Sequence, residues 1–362
     1  MTSFAMSVKS SVTIAMKKLY DTCVNPAITP QALKIVISDI IKHTRDLAPL
    51  PKRQTKLAYK HTAFGKNDVY WDTEEYIAKV AQLTTDDVKA YITDNFVGSN
   101  IVIGYCGSKE DFGTFIEVAE KYFGSLEKGK RKSINLEYTG GFQKIQGNGN
   151  MQLAFFGWDL SYANSTAETN VLMSLLSGRL ERSLGEAHIP AESEVKIAGY
   201  FGLRTLRISV SCLSIEDFNK CIDIVCRNVR RLQNSVASDR RMETSRQRAM
   251  AERLGVSNEA MMHSVKIAWS TLGRDVDYDT DAAISNIWEV SAHDVQMIAQ
   301  DIFSQKMTCV LYTNDSSARS QEEIIQAMNP AYTTAPDKQG KEPGLSDYEK
   351  KQVELIDNLN AE

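Results

Sequence analysis

The side chains that could do chemistry are few, and their spacing assembles no recognisable site. The histidines are His43, His61, His188, His263 and His293. No two lie four apart, so no helix presents two imidazoles to one metal, and no His-x-x-Glu-His occurs. The cysteines, Cys23, Cys106, Cys212, Cys221, Cys226 and Cys309, form no Cys-x-x-Cys pair. Cys106, Cys212 and Cys309 sit in apolar, strand-like runs, which predicts buried free thiols in a reducing or neutral compartment. No Gly-x-Ser-x-Gly elbow, phosphate loop or Gly-x-Gly-x-x-Gly after a strand is present. The acid pairs Glu74-Glu75 and Asp86-Asp87 stand at helix starts, where the macrodipole favours negative charge. We therefore assign no catalytic residue, no cofactor-binding residue, no metal ligand and no cofactor to this chain.

Composition bounds the frame around those side chains. With 362 residues, 43% hydrophobic and 24% charged, the chain is globular and long enough for two domains. A net charge of −4 gives no overall basic field, so nucleic acid is not an expected partner, although a local basic patch is compatible with 42 Lys and Arg. No apolar run approaches the roughly 18 residues of a membrane span. Residues 1–20 carry Lys9, Lys17 and Lys18 and no acid before Asp21. A mitochondrial transit peptide has a similar balance but favours Arg, which is missing here. A strand followed by a helix is the preferred reading.

An internal repeat organises the elements. Residues 72–105 align without a gap on 279–312, at a constant offset of 207 (279 − 72). Asp72-Thr73 meets Asp279-Thr280, Asp87-Val88 meets Asp294-Val295, Phe96 meets Phe303 and Tyr105 meets Tyr312. Each copy predicts a short helix opened by Thr73 or Thr280 and a second helix capped by Thr84 or Ser291. A strand follows, at Asn100–Tyr105 or Met307–Tyr312. Further helices are expected near 111–122 and 321–328. Between the copies lie strands near 141–146 and 151–157, a helix over 166–184, strands near 193–200 and 204–212, and helices over 215–233 and 236–254. Leu206, Ile208 and Val210 alternate with Arg207, Ser209 and Ser211, the period of a half-buried strand. Gly147-Asn148-Gly149 marks a turn.

The fold class is α+β, with two homologous lobes, each a mostly antiparallel sheet packed against helices. The expected division is a lobe at 1–126, a charged linker at 127–139, a second lobe at 140–330 and a polar tail at 331–362, with a possible helix over 348–359. Relative to its copy, the first lobe lacks roughly 65–70 residues that would hold its opening strands. Residues 1–20 correspond to a stretch near 208–227.

A family resemblance enters through Asn100 to Gly107, Val118 to Leu126, Leu83 to Val88 and the Leu176-Ser177-Gly178-Arg179-Leu180 segment. These resemble the strand, closing helix, helix start and second-lobe segment of the insulinase/pitrilysin-type metallopeptidases. That family includes the mitochondrial processing peptidase and the core subunits of respiratory complex III. The resemblance implies a zinc helix carrying His-x-x-Glu-His, which would fall before Met1, and a later glutamate whose aligned position is Asp39. Asp is a methylene shorter and cannot hold zinc alone. The substrate-binding Arg and Tyr of active members find no clear counterpart in Arg182 to Pro190. The glycine-rich loop of the noncatalytic processing subunit would lie near Leu176-Ser177-Gly178, with one glycine left.

The resemblance thus implies a noncatalytic, core-type structural subunit of complex III on the matrix side of the mitochondrial inner membrane. Its partners would be a second processing-peptidase-like subunit and other subunits of the membrane complex. The alternative is a noncatalytic subunit or fragment of an active processing metallopeptidase, binding basic presequence peptides. Acidic side chains between the lobes would favour that alternative.

Overall fold

The structure is a computed structural model describing residues 4–6, 11–65, 71–130, 136–160, 167–200, 203–258, 260–274 and 280–331. The tail, its expected helix and most of the expected N-terminal strand lie outside those residues.

The first repeat is helical. Its elements are α1 (Val12–Cys23), α2 (Pro30–Leu47), α3 (Pro51–Phe64), α4 (Thr73–Ala81), α5 (Thr85–Asn95) and α6 (Asp111–Phe123). The sheet region then contributes β1 (Gly141–Gln146), β2 (Gln152–Asp159), α7 (Ala167–Glu186), β3 (Ala191–Tyr200) and β4 (Leu203–Cys212). The second repeat follows with α8 (Ile215–Asn234), α9 (Asp239–Asn258), α10 (Ala260–Arg274), α11 (Thr280–Glu289), α12 (Ala292–Phe303), β5 (Thr308–Thr313) and α13 (Gln321–Met328).

The offset of 207 extends beyond the aligned stretch. It places α4 on α11 and α5 on α12 with their first positions aligned, and α2, α3 and α6 on α9, α10 and α13 within a few residues. The repeated caps are local chemistry. Thr84 Oγ1 accepts from the Asp87 N–H at 3.2 Å, and the Asp87 carboxylate accepts from the Thr84 N–H at 2.8 Å. Ser291 and Asp294 form the same reciprocal box at 3.1 and 2.8 Å. Thr73 does not cap α4: Asp72 holds that place, without a side-chain hydrogen bond.

Among the described residues there is one sheet, in the order β1-β5-β2-β4-β3. Three of its four pairings are antiparallel and β1·β5 is parallel. The Gly147–Gly149 turn therefore closes no hairpin. It carries the chain from β1 over β5 to β2, and the Asn148 N–H donates to the Tyr312 hydroxyl at 2.8 Å. One face of the sheet buries Phe156, Trp158, Leu206, Ile208 and Val210 against α7, α8 and α12, with Trp158 edge-on to Phe303 at 4.8 Å.

Two expectations need correction. Residues 101–106 form no strand; they follow a single 3-10 turn at Gly98–Asn100 and pair with no described strand. β-propensity expresses itself only where a neighbouring strand takes up the ladder hydrogen bonds. Cys106 is accordingly exposed, whereas Cys212, Cys221, Cys226 and Cys309 are buried free thiols. Burial pushes the Cys226 thiol up to about 12, consistent with an inert packing role.

Candidate functional site

The positions implied by the resemblance are scattered. Asp39 is exposed in the middle of α2. Among the described residues no group of three or more His, Cys, Asp or Glu stands close enough to hold a metal. Leu176-Ser177-Gly178 is no loop: all three lie inside α7, with Leu176 and Leu180 buried in the main core. The apolar residues around Gly178 at helical spacing continue the helix through it. Arg182 to Pro190 forms the end of α7 and the turn into β3, where His188 adopts a left-handed φ of 52°. A shallow hollow between α9 and α11 is lined by Met250, Ile284 and Trp288, with Arg246 held 6.0 Å from the indole. Asp281, Ser285 and Glu289 also line it, but no histidine does.

The surface with the most concentrated chemistry lies where α3 meets the second face of the sheet. α3 crosses from the first repeat onto β1, β5 and β2. Ala58, Tyr59, Ala63 and Phe64 pack there with Leu153, Phe155, Val310 and Tyr312. A bare Cα at Gly157 permits this approach, because a Cβ would stand 1.8 Å from the Tyr59 hydroxyl oxygen. Tyr138 seals the edge. Its hydroxyl donates to the Gly157 carbonyl at 2.7 Å and accepts from Thr308 Oγ1 at 2.7 Å, while burial pushes the phenol well above its ordinary value.

Toward β4 and β3 the same face turns polar and basic. Since Leu206, Ile208 and Val210 fill the main core, Thr205, Arg207, Ser209 and Ser211 point to the α3 side. On β3 the corresponding residues are Glu192, Glu194, Lys196 and Ala198. Lys196 stands directly opposite Arg207 in the ladder, a like-charge pairing that costs stability when uncompensated. Glu194 compensates: it contacts Lys196 and lies 3.8 Å from Arg207. The nearly inaccessible Arg207 guanidinium also sits 4.7 Å from the Phe155 ring, a cation–π contact.

α3 adds Arg53, Lys56 and Lys60, one stripe of the helix by their spacing. Burial, then Lys56 and Arg53, pull the Lys60 ammonium down to about 8. Lys56 is lowered by burial first, then by Arg207, Arg53 and Lys196. Lys52 meets Glu192 at 3.3 Å on the exposed rim. Residue spacing alone marks the α3 stripe as basic, but nothing in the sequence says that it faces Arg207.

With this geometry in place, comparison with known proteins gives two findings. Residues 82–248 match the family model described as the peptidase M16 inactive domain, a span running from the end of α4 into α9. The fold is M16-like. A chain of complex III2 from Candida albicans, Inz-5 bound, superposes with a TM-score of 0.72 at 12% identity, over 87% of this chain and 80% of that one. No curated protein matches the sequence. At that identity, the likeness is one of fold.

Proposed function

We propose that this chain is a noncatalytic, core-type structural subunit of a respiratory-chain complex of the complex III kind. The observation that carries the reading is the agreement in fold with a chain of a complex III assembly, over most of both chains. The matching family model is that of an inactive domain, and no His-x-x-Glu-His occurs in the sequence. Division into a lobe at 1–126, a linker at 127–139 and a lobe at 140–330 follows the repeat. The location consistent with this role is mitochondrial, on the matrix side of the inner membrane, with a second processing-peptidase-like subunit as direct partner. Attachment through other subunits fits the finding that no described helix is long and apolar enough to cross a membrane.

A presequence-binding role is less well supported by the site. Presequences are basic, and the face between α3 and β3–β4 gathers Arg53, Lys56, Lys60, Lys196 and Arg207. Like charges there oppose binding of a basic peptide.

Native electrophoresis of membranes from the source organism tests the proposal. The chain is expected to co-migrate with a cytochrome-containing complex and to dissociate only when that complex is broken. Recovery as a free monomer, or with presequence-cleaving activity, would overturn it.

A further inference from the structure

We propose that residues 101–106 are a docking edge for an extended apolar strand of a second polypeptide, laid antiparallel in the place that β2 takes on β5. The backbone is already extended at Ile101, with φ −117° and ψ 132°. Yet no backbone N–H or C=O of residues 101–106 pairs with a described residue. Side-chain contacts hold the segment instead. α10 comes against Gly104, and Tyr105 stacks on Phe115 of α6 at 4.7 Å. A half-buried backbone in that state lacks the partner that a ladder supplies, and it is a template for one.

The second repeat indicates what the occupant is. β5, at the equivalent place, has β1 along one edge and β2 along the other. Phe303 there receives Trp158 of β2 edge-on at 4.8 Å. Its counterpart Phe96 meets Phe4 at 6.3 Å and Tyr91 at 6.4 Å, and those two rings are 43% and 57% exposed. Phe112, 6.0 Å from Tyr105, is exposed as well. Large apolar side chains thus stand open around an unpaired backbone. Strand addition uses that combination: ladder hydrogen bonds give affinity and alternating side chains give selectivity. β2 shows the chemistry required, since Leu153, Ala154, Phe155, Phe156 and Trp158 are all buried along it. The five described strands all lie in one sheet and none pairs with 101–106, so the occupant is a strand of another chain. This assignment goes beyond the structural role proposed above and does not require it.

Hydrogen exchange on the full chain, alone and with a synthetic peptide of the β2 sequence Gln152–Asp159, is the direct test. Amides of 101–106 are expected to exchange fast in the chain alone. Saturating peptide should slow them by roughly tenfold or more and leave 308–313 unchanged; a peptide of scrambled order should do neither. Val102→Pro and Ile103→Pro each delete one N–H, on opposite edges of an extended segment. Neither N–H bonds to a described residue, so the unfolding midpoint should stay close to that of the unaltered chain. At least one of the two is expected to abolish the slowing, and which one identifies the edge. Should the prolines prevent folding, Tyr91→Ser/Phe112→Ser, a change at two exposed rings, should weaken peptide binding by roughly tenfold. In the chain as purified from its source, 101–106 should be protected and become fast once bound polypeptides are stripped off. Equal exchange before and after stripping overturns the assignment, whatever complex the chain belongs to. So does slow exchange in the chain alone, dilute or concentrated, which gives the edge to the chain itself or to a second copy. Slowing that the scrambled peptide reproduces, or that survives both prolines, overturns it as well.

Discussion

Residues 101–106 and strand β5 occupy equivalent places in the two repeats and read similarly, Ile-Val-Ile-Gly-Tyr-Cys against Thr-Cys-Val-Leu-Tyr-Thr. Only β5 is a strand. It lies between β1 and β2, and all six of its residues are buried. Residues 101–105 are half-buried and Cys106 is exposed. The flanking helices follow this difference. α12 buries Val295, Ala299, Ile302 and Phe303, while α5 buries none of its residues and leaves Tyr91 57% exposed. The same local pattern thus gives a core in one repeat and a half-covered surface in the other. A strand is a cooperative property of its neighbours.

The packing between repeats is reciprocal despite that inequality. α3 lies on the sheet of the second repeat, and α10, its counterpart, lies against residues 101–106. A Cβ at Gly104 would stand 2.2 Å from the Ser264 carbonyl oxygen. Each contact thus depends on a glycine where backbone or side chain comes close.

The comparison can be broken most sharply by hydrogen exchange. Amides of 308–313 should exchange only on global unfolding, and those of 101–106 by local opening. The expected difference in the isolated chain is on the order of a thousandfold or more. Equal protection would show that 101–106 has found strand partners. Core truncation gives the next largest contrast. Phe156→Ala should cost about 3–5 kcal/mol in denaturant unfolding, and Tyr91→Ala no more than about 0.5 kcal/mol.

The glycines test whether both inter-repeat contacts matter. Gly157→Ala is expected to destabilise by about 1–3 kcal/mol, through overpacking against Tyr59. Gly104→Ala should act in the same direction by disturbing α10, measurable as faster exchange in 260–268. If either substitution is silent, the corresponding contact is looser than its geometry indicates.

Loss of a cap should have equal effects in the two repeats. Thr84→Ala and Ser291→Ala each remove a cap, worth about 1 kcal/mol. Both caps hold a carboxyl below its usual range, Asp87 through Thr84 and Asp294 through Ser291. A lowered folded-state value means that the stabilisation is present above the unfolded carboxyl range, near pH 4, and lost as pH falls through the folded value. Stability measured between pH 6 and pH 2 should therefore fall less steeply in either cap variant than in the unaltered chain.

Much of the frame was legible because its causes are local. The offset of 207, the caps at Thr84 and Ser291, the alternation along β4 and the helices of the second repeat other than α10 all rest on side-chain periodicity or on hydrogen bonds within four residues. Other features were hidden because their causes are distant. The glycine turn after β1 looks like a hairpin until β5 inserts, more than 150 residues later in the chain. Its insertion also explains why β1 is parallel to its neighbour.

By itself, the sequence determined that two copies of one helical pattern exist, where they cap and turn, and that the chain carries no zinc motif. Only the tertiary structure decided which copy owns the sheet, that α3 crosses to cover it, and that Lys56 lies near Arg207 and Lys196. The reason is physical. Caps and amphipathic periods are set within one or two turns of backbone, whereas ladder hydrogen bonds and converging charges need partners that only folding brings together.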